Sequence, residues 1–160
     1  MGPPMKGDKP MESNKTYPRS VHEKYLGIVQ LARTIDKATM LAQGKIGEYH
    51  YDCPMDQALF AAFGIDGKKL AQLASEASTN PARHADIEGY LKPLIAKKSQ
   101  VEIEHFNAQT LSRKPEGESR KHFEELRAKI APNRKDVTSW PDLLDLDEGR
   151  TVPERVLAGV

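Results

Sequence analysis

The sequence contains a single cysteine, Cys53, and can therefore form no disulfide bond within itself. A free thiol is typical of a reducing compartment, so the composition favours a cytoplasmic protein. Residues 1–15 lack the apolar stretch and the small-residue cleavage site of a secretory signal. No apolar run approaches the length that crosses a bilayer, so we expect a soluble chain with no membrane partner.

An excess of charge of either sign is also missing. The 24 lysines and arginines are balanced by 23 aspartates and glutamates, which leaves a net charge of +1 with histidine neutral. Wholesale binding to nucleic acid or to an anionic membrane needs a dominant positive field. We therefore expect no nucleic-acid partner.

Several common catalytic motifs are absent. The sequence has no Gly-rich phosphate loop, no dinucleotide-binding fingerprint, no Gly-x-Ser-x-Gly elbow and no Cys-x-x-Cys pair. These absences disfavour the common nucleotide-binding and hydrolase classes.

Alternating apolar and polar segments, which indicate strands, are almost absent, whereas apolar residues recur with helical spacing. The pattern predicts an all-α protein with a single compact domain of about six to seven helices over residues 16–150. Residues 1–15 are rich in Pro, Gly, Lys and Asp, and this composition predicts a disordered leader. Residues 151–160 are interpreted as a frayed C-terminal tail.

The first predicted helix opens at Ser20, where the segment Ser20 to Glu23 fits a capping box. From Val21 to Ala42, apolar residues recur at spacings of four and three. Gly44 then supplies a left-handed stop.

Later helices are marked by caps and prolines. Gly64 and Gly149 are expected stops, and Pro93 is expected to interrupt the fourth helix. The expected starts are Pro54, Asp66, Asn80-Pro81, Ser99 to Glu102, Glu116 and Ser139.

The connector between the first two helices, Tyr49 to Gln57, packs two tyrosines, a histidine, two aspartates and the cysteine together. In an enzyme hypothesis, His50 is the general acid/base and Cys53 is the nucleophile or redox group. Cys53 precedes Pro54 at a predicted helix N-terminus, and either that terminus or a histidine can stabilise a thiolate. The alternative is that Cys53 is a buried apolar residue and His50 bonds the local backbone.

A polar strip on the first helix consists of Arg33, Asp36 and Lys37. If this strip faces the connector, it provides a fixed cation and a carboxylate for an anionic or polar small molecule. We expect Tyr25, Tyr49 and Tyr51 to line the same pocket. Otherwise Arg33 and Asp36 form a solvated surface pair. The sequence indicates no particular cofactor.

A metal site has little support. Glu102 and His105 have the Glu-x-x-His spacing of di-iron bundles, but the sequence contains no second such pair. The spacing of His50, His105 and His122 gives no support for a zinc site. We therefore assign no metal ligand.

The rival hypothesis is a non-catalytic interaction module. Its helix faces and the leucine-rich segment from Trp140 to Gly149 would pair with a partner or with a second copy as a homodimer, and the tyrosines would be contact residues.

Six blocks of the sequence have to be considered together: Tyr17-Pro18-Arg19-Ser20, Leu31-Ala32-Arg33-Thr34-Ile35-Asp36-Lys37, Gly47-Glu48-Tyr49-His50-Tyr51-Asp52-Cys53-Pro54-Met55-Asp56, Gly64-Ile65-Asp66, Ile103-Glu104-His105-Phe106-Asn107 and Trp140-Pro141-Asp142-Leu143-Leu144-Asp145-Leu146-Asp147-Glu148-Gly149. These blocks resemble the signature of the bacterial family called Domain of Unknown Function 5069. The resemblance extends from Tyr17 to Arg150 and implies domain limits and a cytoplasmic bacterial setting, but no catalytic residue. Asp52 stands where many relatives are expected to have asparagine, and Lys68 to Lys98 matches poorly.

Overall fold

The computed structural model describes residues 17–155, which form seven α-helices and no strand. The all-α prediction is confirmed. The predicted leader and residues 156–160 lie outside the described residues. The helices are α1 (Leu31–Ala42), α2 (Pro54–Phe63), α3 (Gly67–Thr79), α4 (His84–Ala96), α5 (Gln100–Leu111), α6 (Ser119–Ile130) and α7 (Trp140–Asp147).

The chain divides into two compact units, each with its own core. The first unit, Pro18–Thr110, contains α1 to α4 and nearly all of α5. Its core forms where α1 packs chiefly against α3, because each helix carries apolar residues at spacings of three and four. Its fully buried side chains include Ile28, Leu31, Leu59, Leu70, Ile87 and Leu91.

The second unit contains α6 and α7 in its described part. Phe123 on α6 meets Trp140 on α7 edge to face, with ring centroids 4.9 Å apart. Val137 and Leu143 complete the buried centre. Val152 is also buried there, so the packed part of this unit includes the beginning of the predicted tail.

The prediction that the first helix opens at Ser20 is wrong, because α1 begins only at Leu31. The Ser20 hydroxyl accepts the backbone N–H of His22 at 3.0 Å and so closes a turn instead of a capping box. Val21 and Ile28 are nevertheless fully buried. Consecutive turns can therefore bury residues whose spacing also fits a helix.

The turn before α1 has two residues in the left-handed region. Leu26 and Gly27 have φ values of 55° and 83°, and the residues on either side, Tyr25 and Ile28, exchange two backbone hydrogen bonds of 3.0 Å. Gln30, with φ of 71°, then caps α1. These backbone angles prevent a continuous helix through residues 20–30.

The expected interruption at Pro93 is also wrong, because α4 continues through it to Ala96. Proline removes one backbone N–H from the helix, but only three helical residues follow it. Asn80 caps a short 3-10 turn over Pro81–Arg83, which leads into α4.

The start expected at Glu116 is displaced to Ser119. Gly117 has a φ of 60° and forms a turn, and the backbone N–H of Ser119 donates to the carbonyl of Glu116 at 3.2 Å.

The remaining predicted caps and stops are confirmed. Gly44, Gly64 and Gly149 follow α1, α2 and α7 with φ values of 71°, 69° and 83°. At α5, Ser99 and Glu102 bond each other's backbone N–H groups at 3.1 and 2.8 Å. None of the helices formed by residues 17–155 has both the length and the apolar character that a bilayer crossing requires.

Asn107 on α5 fixes the turn that precedes α1. Its Oδ1 accepts the backbone N–H of Val29 at 3.1 Å, and its Nδ2 donates to the carbonyl of Gly27 at 3.0 Å. Val29 is fully buried, so its N–H depends on this contact. One side chain thus links α5 to a turn 78 residues earlier in the chain.

We expect Asn107→Ala to lower the free energy of unfolding by roughly 1–3 kcal/mol, because it leaves the buried N–H of Val29 without a partner. Urea unfolding followed by circular dichroism measures the change. The control is His105→Ala on the exposed side of the same helix, expected to stay within about 0.5 kcal/mol of the parent. Equal stability of the two variants would show that the hydrogen bonds of Asn107 to Val29 and Gly27 do not stabilise the fold.

Candidate functional site

Lys37 on α1 joins the connector to the helix. Its Nζ donates to the carbonyl of His50 at 2.9 Å, to Sγ of Cys53 at 3.3 Å and to Oδ2 of Asp56 at 2.7 Å. These partners use all three ammonium protons. The Lys37 side chain is only 4 % exposed, so this ammonium group is part of the interior.

Asp56 is the fully buried counter-charge. Its Oδ1 lies 2.5 Å from the Thr34 hydroxyl and accepts from Nε2 of Gln30 at 2.9 Å. Its Oδ2 accepts from Lys37 and from the backbone N–H of Cys53, the latter at 3.1 Å. A buried carboxylate is tolerated when an opposite charge and hydrogen-bond donors surround it, and Asp56 has both.

Local sequence explains how this network assembles. Gln30, Thr34 and Lys37 are spaced by four and three, so they lie on one face at the beginning of α1. Asp56 is the third residue of α2, where a carboxylate can reach back to the backbone of the preceding cap residue, Cys53. The network is thus built from one helix face and one helix start. Oε1 of Gln30 is buried and has no hydrogen-bond partner in the part of the chain that is described.

Cys53 is half-buried and caps the N-terminus of α2, as the sequence predicts. The group that donates to its sulfur is the ammonium of Lys37, which belongs to the predicted polar strip but had no predicted role at Cys53. An ammonium group that donates to sulfur and a helix N-terminus both stabilise negative charge on a thiolate.

His50 contributes its backbone to the network. Its carbonyl accepts from Lys37, whereas its side chain is exposed. Among residues 17–155, the imidazole of His50 has no hydrogen-bond partner, so no contact joins it to Cys53.

Arg33 and Tyr49, two predicted ligand-binding residues, lie together. The Arg33 guanidinium is 5.4 Å from the centroid of the Tyr49 ring, a cation–π distance. Arg33 is 3 % exposed and donates through Nη1 to the backbone carbonyl of Arg19 at 3.1 Å. The contact holds the beginning of the connector against α1.

Asp36 is engaged by Arg19, which the analysis of the sequence did not assign to the site. Oδ2 of Asp36 accepts from the backbone N–H and Nε of Arg19 at 2.8 and 3.0 Å, and Oδ1 accepts from Nη2 at 3.0 Å. The same guanidinium lies 6.0 Å from the Tyr25 ring centroid. Arg19 thus links Tyr25 and Asp36, and Asp36 pairs with it instead of with Arg33. Arg19 lies in the Tyr17-Pro18-Arg19-Ser20 block of the family resemblance, and that block was the one sequence feature that pointed to this residue.

Tyr51 connects the connector to the beginning of α3. Its hydroxyl donates to the carbonyl of Gly67 at 2.6 Å, and its ring lies 5.9 Å from that of Phe60. Burial raises the pKa of Tyr51 above its ordinary value, and the nearby Asp56 carboxylate adds to the shift. This hydroxyl therefore stays protonated and holds the connector in place.

Metal-binding clusters are not found in residues 17–155, where no three histidine, cysteine or acidic side chains converge. Glu102 is occupied by its capping box, and the backbone N–H of Ser99 lowers the pKa of its carboxyl. His105, its partner in the Glu-x-x-His pair, is exposed.

The leucine-rich segment from Trp140 packs within its own unit. Trp140 contacts Phe123, and Leu143 is fully buried. This apolar face therefore belongs to the core of the second unit.

A double-mutant cycle tests whether Lys37 and Asp56 act as a charge pair. Lys37→Met leaves a buried carboxylate without its cation, and Asp56→Asn leaves a buried ammonium without its anion. We expect each variant to lose roughly 3–5 kcal/mol of unfolding free energy. The double variant buries neither charge, so its loss should fall short of the sum of the single losses by about 2 kcal/mol or more. Urea unfolding measures all four proteins. Losses that add to within about 0.5 kcal/mol would show that the two charges do not depend on each other.

The raised pKa of Tyr51 makes the free energy of unfolding decrease as the pH becomes alkaline. Since its folded pKa is raised above the ordinary value of 10.0, the folded chain keeps a proton that the unfolded chain releases above that pH. This contribution is complete below pH 10.0 and declines as the pH rises towards the folded pKa. We expect Tyr51→Phe to lose less stability than the parent between about pH 9 and about pH 11, measured by urea unfolding at each pH. The variant should also lack one tyrosinate step in near-ultraviolet titration. Identical alkaline losses in the two proteins would refute this role.

The chain matches none of the curated proteins with which it was compared. Residues 15–150 match the family described as Domain of unknown function (DUF5069), and this range includes α1 to α7. The resemblance seen in the blocks around Arg19 and Cys53 is thereby confirmed. The chain belongs to the DUF5069 family.

Proposed function

We propose that the first unit is a thiol-dependent enzyme acting on a small polar molecule, with Cys53 as the nucleophile. The observation that carries this proposal is the 3.3 Å contact between the Lys37 ammonium and the Cys53 sulfur. A cysteine that serves only to fill apolar space needs no buried cation directed at its sulfur.

The geometry of Lys37 supports this role. Asp56 and the His50 carbonyl hold two of its three protons, so the third stays directed at Cys53. Cys53 is half-buried at the beginning of α2. The proposal requires that a small reagent reach its sulfur, while the buried pair fixes the donor.

The proposed chemistry is nucleophilic attack on an electrophilic carbon of the ligand. The thiolate forms the S–C bond, and the leaving group departs with the electrons of the bond that breaks. His50, exposed three residues before Cys53, is proposed to donate the proton that the leaving group takes up. Water then attacks the same carbon and gives a proton back to His50, and the S–C bond breaks with its electron pair returning to the sulfur. Lys37 is assigned the stabilisation of the thiolate, because its ammonium contacts the sulfur.

Tyr25 and Tyr49 are proposed to border the ligand beside the connector, and the buried Arg33 is proposed to hold the Tyr49 ring in place. Asp36 and Tyr51 are assigned positioning roles, since Arg19 binds the carboxylate of Asp36 and Gly67 accepts the hydroxyl of Tyr51. We propose a bacterial cytoplasm as the setting, because a reducing compartment preserves a lone thiol.

Alkylation by iodoacetamide tests the central contact. The thiolate displaces iodide, and mass spectrometry measures the rate at pH 7 on the full chain. The matched pair is Asp56→Asn and Lys37→Met/Asp56→Asn, which differ only at residue 37. We expect the rate to fall by about tenfold or more when Lys37 is removed, because the attacking sulfur then loses the ammonium group that contacts it. His50→Ala should stay within about twofold of the parent, because its side chain does not contact the sulfur.

Circular dichroism establishes that each variant is folded. If Asp56→Asn alone does not fold, the alkylation rate of the double variant is compared with that of the parent instead. Equal alkylation rates with and without Lys37 would overturn the proposal. It would also be overturned if the parent thiol reacts only after the protein is unfolded in guanidinium.

A further inference from the structure

The second unit contains a groove of about 350 Å³, formed by α6 with the segments before and after it. That volume lies at the lower end of the range for small-molecule sites. The charged residues that line it are Lys114, Arg120, Glu124, Arg127 and Lys135.

The groove concentrates positive charge. Four cations and one carboxylate give it a net charge of +3, whereas the whole chain carries +1. Lys114, Arg120 and Lys135 are exposed, and no carboxylate of residues 17–155 lies within ion-pair distance of any of them. Solvated helix surfaces more often alternate charges of opposite sign, which offset each other.

Arg127 is the fixed member of the set. Its Nη1 donates to the carbonyl of Val137 at 2.7 Å, and its guanidinium lies 5.6 Å from the Phe123 ring centroid. These contacts orient the guanidinium and leave other N–H donors for a ligand. The three exposed cations come from three places: the segment before α6, the helix itself and the segment after it.

We propose that this groove binds a small polyanion that carries two or more linked phosphate groups. Cations from three segments can surround adjacent phosphates, and the fixed arginine can provide directed hydrogen bonds. Phe123, the aromatic residue of the lining, is only 2 % exposed, so it offers no open face on which a base could stack. The groove therefore selects phosphate groups and not a nucleobase. This site lies within the second unit and does not depend on the function proposed for Cys53.

Isothermal titration calorimetry of the full chain with inorganic pyrophosphate tests the site at about 50 mM salt, where screening is weak. The groove variant is Arg120→Gln/Lys135→Gln. The control is Lys121→Gln/Lys129→Gln, which removes the same charge from α6 residues outside the lining. We expect the groove variant to weaken binding by about tenfold or more and the control by less than about threefold. Orthophosphate should bind more weakly than pyrophosphate.

The substituted residues are exposed, so both variants should fold, and circular dichroism checks this. Equal weakening by the groove and control variants would indicate a diffuse charge effect and overturn the proposal. Absence of binding at millimolar pyrophosphate would also overturn the proposal. A third outcome would also overturn the proposal. If a single-stranded oligonucleotide binds more tightly than pyrophosphate, and the groove variant loses this binding, the ligand is a nucleic acid and not a small polyanion.

Discussion

The contact between the Lys37 ammonium and the Asp56 carboxylate determines how the first unit is arranged around its polar connector. Two charges removed from water are stable only when each is paired and every remaining hydrogen-bonding position is used. Asp56 meets this requirement with donors from α1 and from the backbone of Cys53. Lys37 meets it with the His50 carbonyl and the Cys53 sulfur. The connector therefore packs against α1 largely because the buried charges need these hydrogen-bond partners.

Local chemistry was sufficient to predict much of the fold. Gly44, Gly64 and Gly149 end their helices because each adopts a left-handed conformation that other residues rarely accept. The beginning of α1 could not be predicted in this way. Its position depends on left-handed angles at Leu26 and Gln30, neither of which is a glycine. Asn107, which is distant in the sequence, holds the turn at Leu26 by hydrogen bonds to the backbone of Gly27 and Val29. The spacing of apolar residues within one segment carries no information about such a distant contact.

The candidate site was partly visible in the sequence. The density of titratable groups between Tyr49 and Gln57 drew attention to the connector, whose Cys53 and Asp56 contact Lys37. Nearness along the chain suggested His50 as the partner of Cys53, whereas the group that contacts the sulfur comes from a helix 16 residues earlier. A usable signal was present, because Gln30, Thr34 and Lys37 form a polar line at helical spacing within an otherwise buried segment. Such a line needs a polar partner, but its spacing alone does not identify Asp56.

Within the described residues, the two hydrophobic cores have no side chain in common. A substitution at Phe123 removes packing from the centre beneath the basic groove, and one at Leu59 removes packing from the centre near Cys53. Selection on the packing of one centre therefore acts on a different set of residues from selection on the packing of the other.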